Sequence, residues 1–512
     1  MSKKFASTIA GASIIITIVG LLSKAFGFLR EVIFAAFFGL GTDFEVYLIA
    51  AVFPITINSV LLYLGQNYYI PIYSNIKYEG SKKENELFNR MLRMFFFAGF
   101  VLSIILLILS SQILSFYLSG SNPQIIETAL IIFRIFIFTI PLSAAISVIS
   151  AHLQAREEFS SPALAQLFAN LSVILLVPLL GRNIGIVIIP IAYLIGNLLQ
   201  LFYLLNKSKK YITLDFKAIN KYQISKINTA ANASLILIIL IEVISQFYFI
   251  IDRYFYDKVE PGGIAALNYA ITVYYIPIAI LSVALSTAIF PSFSDHLQQK
   301  DPKDLIKKIT DSLSMNAFLF APIVILFSFY GDFIIRLFFQ RGNFSKLDTQ
   351  MTYSALRYFS LSLIFYSVYS IFNKIFYGAR LIKHLLSITI AAGIIKLVMN
   401  IVLVESLNHD GLALSSSIAY SFLCISALIV LSNKLQISIQ WIFWRSILIY
   451  ILNAIISYII TQVFVELFSV REGLTSFISI LFFLSIYIFN MYLIKDYSIS
   501  LLKGVWISYR TS

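Results

Sequence analysis

The stretch "SKAFGFLREVIFAAFFG", residues 23–39, sets three charges, Lys24, Arg30 and Glu31, in a run that is otherwise uncharged and largely apolar from Phe5 to Leu40. As a helix those 36 residues would extend about 54 Å, against a hydrocarbon core of about 30 Å. The run cannot cross as one straight rod, and Gly27 offers a place to bend. Apolar sequence continues past Arg30 to Phe38, so the charges need not sit at the membrane edge. A charge at mid-bilayer is expensive and normally faces a bundle interior or a wet cavity. Lys24 and Glu31 are seven apart and share a helix face; Arg30, six from Lys24, is turned about 120° away. All three reach one cavity only if the helix distorts near Gly27. Otherwise Arg30 and Glu31 form an interfacial ion pair and Lys24 snorkels.

The rest of the chain has the same character. Its 512 residues are 59% hydrophobic and 12% charged, and the mean hydropathy is +0.87. A soluble domain is nearer a quarter charged. Apolar segments of membrane-crossing length recur throughout, and they lack the period-two alternation of barrel strands. Helices are therefore expected, since they satisfy their own backbone in lipid. The segments are 6–38, 44–73, 91–117, 125–150, 161–180, 184–206, 229–251, 264–290, 311–330, 353–376, 385–405, 411–431, 441–466 and 474–494. The fold class is all-α polytopic, with about fourteen transmembrane helices. The N-terminal run is too long for a signal peptide and is read as a retained first span.

With the N-terminus inside, 26 of the 38 Lys and Arg fall on the cytoplasmic side and 7 on the other, with 5 inside spans. This asymmetry predicts both termini in the cytoplasm of a multi-pass protein. The net charge of +13 is then mostly topology, and nucleic acid is not an expected partner. Cys424 lies inside a span, and the four histidines are scattered, so neither a disulfide framework nor a metal site is expected.

Three short matches suggest an internal repeat. Pro71-Ile-Tyr-Ser-Asn75 parallels Pro291-Ser-Phe-Ser-Asp295, "AREEF" at 155 faces "ARLIK" at 379, and "IAYLIGNLLQL" at 191 faces "IAYSFLCISAL" at 418. Six spans separate the copies, so the halves have the same orientation. The expected domains are an N-lobe at 1–206, a C-lobe at 229–431, two further helices at 441–494, and a cytoplasmic tail at 495–512. Paired lobes suit a transporter that works by alternating access.

Other polar residues within spans are candidates as well. Glu45 adds a carboxylate near the first cluster. Arg134 and Lys396 sit in apolar runs and could line a cavity. Glu242 and Asn400 are candidates for binding a coupling ion; a hydrogen-bonded residue near a helix end is the plainer reading of Glu242.

"SKAFGFLREVIFAAFFGLGTDFEVYLIAAVFP", from Ser23 to Pro54, resembles without gaps the opening of the MurJ/MviN lipid II flippases of the MOP superfamily. "IDRYFYDKVEPGGIAALNYA" at 251, "VALSTAIFPSFS" at 283, "FFQRGNFSKLDTQMTYSALRYFSLSL" at 338 and "LNHDGLALS" at 407 are similar to later segments of that family. The resemblance implies two six-helix lobes around a cationic cavity, and a groove by the last two helices for an isoprenoid tail. The implied substrate is an undecaprenyl-pyrophosphate-linked glycan, either lipid II of peptidoglycan or a related capsule, O-antigen or exopolysaccharide unit, flipped outward. Arg30, Lys24, Glu31 and Glu45 fall on family positions and are the implied substrate-binding residues. The chain departs from the pattern in three places. Lys24 replaces an arginine, Asn58 or Ser59 replaces a second-span arginine, and Thr272 stands where the eighth span has another. Thr272 is thus a candidate cavity residue in a less basic cavity. No enzymatic activity or cofactor is expected, although a coupling cation or the membrane potential could supply energy. The expected partners are the lipid-linked oligosaccharide and membrane lipids, the chain acting as a monomer in the bacterial cytoplasmic membrane. A cation-coupled multidrug exporter of the same superfamily is the alternative; the two additional spans and the cationic first helix argue against it.

Overall fold

The computed structural model describes residues 9–77, 80–212, 231–282, 285, 302–436, 440–468 and 472–494. Among them every regular element is a helix or a helical turn. The chain divides into two compact units. The first is Met1–Ala265 with Phe339–Ser345, and the second is Ala266–Phe338 with Lys346–Ser512. In this division the helix of the seventh expected span, 229–251, falls in the first unit.

In the first unit, α1 (Ile9–Phe38) and α2 (Thr42–Leu64) are joined by a tight turn. A π-helical turn, Gly65–Tyr69, leads on to α3 (Ile70–Ile76). Then follow α4 (Ser81–Ile108), α5 (Ser110–Tyr117), α6 (Pro123–Ile137), α7 (Thr139–Ala155), α8 (Ser160–Ile184), α9 (Ile188–Ser208) and α10 (Ala231–Tyr254). Local chemistry accounts for several of these boundaries. The Asn122 side chain accepts from the Gln124 N–H and Pro123 follows at the first helical position, an arrangement suited to starting α6. Gly185, at φ +69°, separates α8 from α9.

The core of this unit includes His152, fully buried, stacked at 4.2 Å on Phe88, with its Nδ1 2.7 Å from the Tyr69 hydroxyl. One histidine that looked isolated in the sequence is thus a packed core residue. Near it, Glu84 accepts from the Tyr73 hydroxyl and pairs with Arg156.

The second unit holds most of α11 (Gly263–Pro277), which runs into a second π-turn, Ile278–Ser282. The π-turns fall in the second and eighth expected spans, the pair that the repeat places in register. The proline motif at 291–295, its partner in the sequence comparison, lies outside the described residues. The chain continues through α12 (Pro302–Phe329), α13 (Gly331–Phe339), α14 (Lys346–Ser360) and α15 (Leu363–Gly378). It ends with α16 (Ile382–Leu435), α17 (Gln440–Phe468) and α18 (Glu472–Leu493).

Among the described residues nine helical stretches are long and apolar enough to cross a membrane, or ten if the bent pair α14–α15 counts as one span. That is fewer than fourteen because chain continuity hides two breaks. Residues 160–208 contain two expected spans, and so does α16, whose Asn408 has non-helical angles (φ 51°, ψ −134°). Helices α1 and α10 overlie the first and seventh expected spans.

Candidate functional site

Helix α1 continues through Gly27 without a break. The position matters because of what it faces. A side chain there would point at the Asn170 amide of α8, about 4.0 Å away. Asn170 Oδ1 in turn accepts from Arg30 Nη1 at 3.1 Å. Arg30 Nε and Nη2 both donate to Glu31 Oε1, at 3.1 and 2.6 Å. The guanidinium also lies 5.8 Å from the Phe34 ring and 5.6 Å from that of Tyr193 on α9, within cation–π range.

Three guanidinium N–H donors are thus engaged by Glu31 and Asn170, and the Tyr193 hydroxyl is a further hydrogen-bond partner of the group. The Arg30 side chain keeps 24% of its surface exposed while that of Glu31 keeps 9%. The result is a cation held in place by a buried carboxylate and a neutral amide, with part of its surface still exposed. Such a fork suits a phosphate-type oxyanion, which it can bind bidentately. The sequence left a cavity and a simple ion pair as alternatives. The structure shows the ion pair, with the Arg30 side chain still partly exposed. Asn170 and Tyr193 were not among the sequence candidates, although a lone asparagine in the apolar span 161–180 is the kind of signal that could have marked one.

Glu45, 1% exposed, is engaged differently. Its carboxylate accepts the backbone N–H groups of Gly262 and Ile264 at 2.9 Å each and of Ala265 at 3.4 Å. These donors belong to the start of α11, so Glu45 supplies the anion that a helix N-terminus favours. Arg253, also buried, donates to the Ile264 carbonyl at 3.1 Å and so ties the same segment to α10. Glu45 is therefore built into the frame of the unit and is not part of the Arg30 fork.

The remaining candidates are dispersed. Lys24 and Arg134 are exposed. Thr272 is half-buried, its hydroxyl donating to the Asn268 carbonyl one turn back. In the second unit, Lys396 is 1% exposed and donates to Ser416 Oγ at 2.5 Å. Asn400, fully buried, lies one turn from Lys396 on the same face of α16. A nearby ammonium disfavours a bound cation there. Glu242, half-buried on α10, accepts from Gln246 at 2.8 Å and borders a cavity in the first unit. Among the described residues no group of three or more His, Cys, Asp or Glu gathers to hold a metal.

Comparison with known proteins gives this geometry a context. The sequence model of the Lipid II flippase MurJ family matches residues 34–485. The chain belongs to the lipid II flippase MurJ family. Among curated relatives, the "Probable lipid II flippase MurJ" of Borreliella burgdorferi is 23% identical over 467 residues, 87% of each chain. A solved structure described as "Lipid II flippase MurJ, inward closed conformation" superposes with a TM-score of 0.77 at 20% identity, covering 94% of this chain and 99% of that one. An inward-facing multidrug resistance MATE family transporter of the MOP superfamily superposes with a TM-score of 0.68 at 13% identity, covering 83% and 98%. At these identities the two structural likenesses concern the fold. The MurJ match extends through α17 and into α18 but begins after Arg30. The role of the Arg30 fork therefore rests on its own geometry.

Proposed function

We propose that this chain flips an undecaprenyl-pyrophosphate-linked glycan precursor, lipid II or a close relative, from the inner to the outer leaflet by alternating access. The observation that carries the reading is the Arg30 fork, which Glu31 and Asn170 hold while the guanidinium side chain stays partly exposed. A pyrophosphate is the part of such a lipid that this fork suits. Glu31 fixes the cation and also offsets its charge, which keeps affinity low enough for release. Exposed Lys24 contributes a point charge without arginine's bidentate geometry.

Several parts of the reading draw on the sequence alone. Both termini lie in the cytoplasm, and the protein works as a monomer in the bacterial cytoplasmic membrane without enzymatic chemistry. Helices α17 and α18, with exposed apolar residues such as Leu448, Ile459, Phe477 and Ile488, carry the isoprenoid tail. A coupling cation or the membrane potential drives the cycle. The test is transport in proteoliposomes with labelled lipid II and with another undecaprenyl-pyrophosphate glycan. Outward movement of either, lost in Arg30→Ala, is the expected result. Export of organic cations with no movement of any undecaprenyl lipid would replace this reading with the multidrug exporter.

A further inference from the structure

The first unit contains a cavity of about 330 Å³, bordered by Ser59 of α2, Gln66 of the π-turn, Ser147 of α7, Gln166 of α8, Gln200 of α9 and Glu242 of α10. That volume falls at the lower end of the range for small-molecule sites, about 300–1,000 Å³. Among the described residues no lysine or arginine borders the cavity, and apart from Glu242 its polar lining is neutral. Among the described residues the amides of Gln66, Gln166 and Gln200 have no hydrogen-bond partner. Gln200 is only 6% exposed, so its amide opens onto the cavity.

We propose that this cavity is a saccharide subsite that takes a sugar ring of the substrate headgroup; the proposal rests on the pyrophosphate-lipid reading above. A sugar presents hydroxyls that both donate and accept. Glutamine amides and serine hydroxyls do the same, and a carboxylate accepts from hydroxyl pairs. Of the three amides, that of Gln200, on a residue only 6% exposed, is the one such a ligand would serve most. Position supports the match. Gln166 lies four residues before Asn170 on α8, so the cavity wall is one helical turn, about 6 Å, from the residue that orients Arg30. In a glycosyl pyrophosphate lipid the first sugar is bonded directly to the phosphate, so a ring held here lies within reach of an anion at Arg30.

A cation is a poorer occupant. Oxygen ligands must converge to about 2.3–2.6 Å around an ion such as calcium, whereas this lining is spread around some 330 Å³. Its one carboxylate, that of Glu242, already accepts from Gln246.

The experiment measures binding to the full-length protein in nanodiscs with two probes, lipid II and undecaprenyl pyrophosphate, which lacks the sugars. Gln166→Leu changes an exposed lining residue, and Gln200→Leu tests the buried one. Each is expected to weaken lipid II binding about tenfold while leaving undecaprenyl pyrophosphate within about twofold, whereas Arg30→Ala weakens both. If the glutamine variants weaken the two lipids equally, or neither, the subsite is overturned and the Arg30 reading stands. The subsite is likewise overturned if the variants change only the dependence of transport on sodium ions or pH. Failure of the unaltered protein to bind either lipid overturns both readings. Gln166→Leu keeps the test decisive should Gln200→Leu fail to fold.

Discussion

Asn170 accepts a hydrogen bond from Arg30 across 140 positions of sequence, and it is the neutral half of the clamp on that guanidinium. Glu31 alone would leave the fork free to rotate about a single carboxylate oxygen. Replacing Asn170 by alanine should therefore leave the charge in place and lose its aim. Lipid transport in vesicles should fall about tenfold, with a loss of stability of about 1 kcal/mol. Arg30→Ala should remove transport altogether, and should also cost stability because it takes this cation away from the Glu31 carboxylate, whose side chain is 9% exposed. Equal transport by Asn170→Ala and the unaltered protein would show that the amide does not orient the cation.

Glu45 shows a different use of a carboxylate. Three backbone N–H groups of residues 262–265 point at it, and each loses this acceptor once it is gone. Glu45→Ala should cost about 3 kcal/mol or more, seen as a lower melting temperature in detergent. Glu45→Gln retains an acceptor oxygen but turns an NH2 group toward a backbone donor, and should fall between. If Glu45→Ala melts normally yet fails to transport, the carboxylate serves the substrate and not the frame.

Much of this architecture was legible beforehand. Apolar length alone located the helices, because lipid offers the backbone no other partner. The break between the eleventh and twelfth expected spans also falls where the sequence put it, at Asn408, whose non-helical angles (φ 51°, ψ −134°) separate two helical stretches of α16. The Arg30–Glu31 pair could be read from adjacency, but Asn170 is neutral and distant, so no charge pattern points to it. Glu45 was harder still. Its partners are main-chain N–H groups, which every residue except proline has, and only the fold says which ones meet it. The cavity beside Glu242 escaped for a similar reason, since its glutamines and serines come from five separate elements.

The segment "QRGNF", residues 340–344, finishes α1. The Asn343 N–H donates to the Ala36 carbonyl at 2.8 Å, and its side chain donates to that of Phe37 at 2.5 Å. These carbonyls would otherwise lack partners at the helix end. Gly342 sits at φ +60°, and a Cβ there would overlap the Ala36 carbonyl. Gly342→Ala should thus combine backbone strain with a steric clash and cost more than about 2 kcal/mol. Asn343→Ala should cost about 1 kcal/mol by losing the side-chain bond alone. Thermal unfolding of the two variants in detergent checks the order; a milder effect for Gly342→Ala than for Asn343→Ala would contradict the packing described.

Gly65 tests whether the π-turn shapes the cavity. Its Cα packs on α7 so closely that a Cβ would stand 2.6 Å from the Ser147 carbonyl oxygen and 2.7 Å from its carbon. Backbone atoms cannot give way as a flexible side chain can. Gly65→Ala must therefore push the turn away from α7, which separates Gln66 from Ser147, two walls of the same cavity. The protein should lose about 1–3 kcal/mol of stability, as overpacked sites do. Lipid II binding should weaken more than undecaprenyl pyrophosphate binding, because the wall that moves is on the side assigned to the sugar. Gly20→Ala, where a Cβ would meet nothing within 4 Å, is the matched control and should change neither. Unchanged discrimination between the two lipids in a folded Gly65→Ala protein would separate the π-turn from substrate recognition.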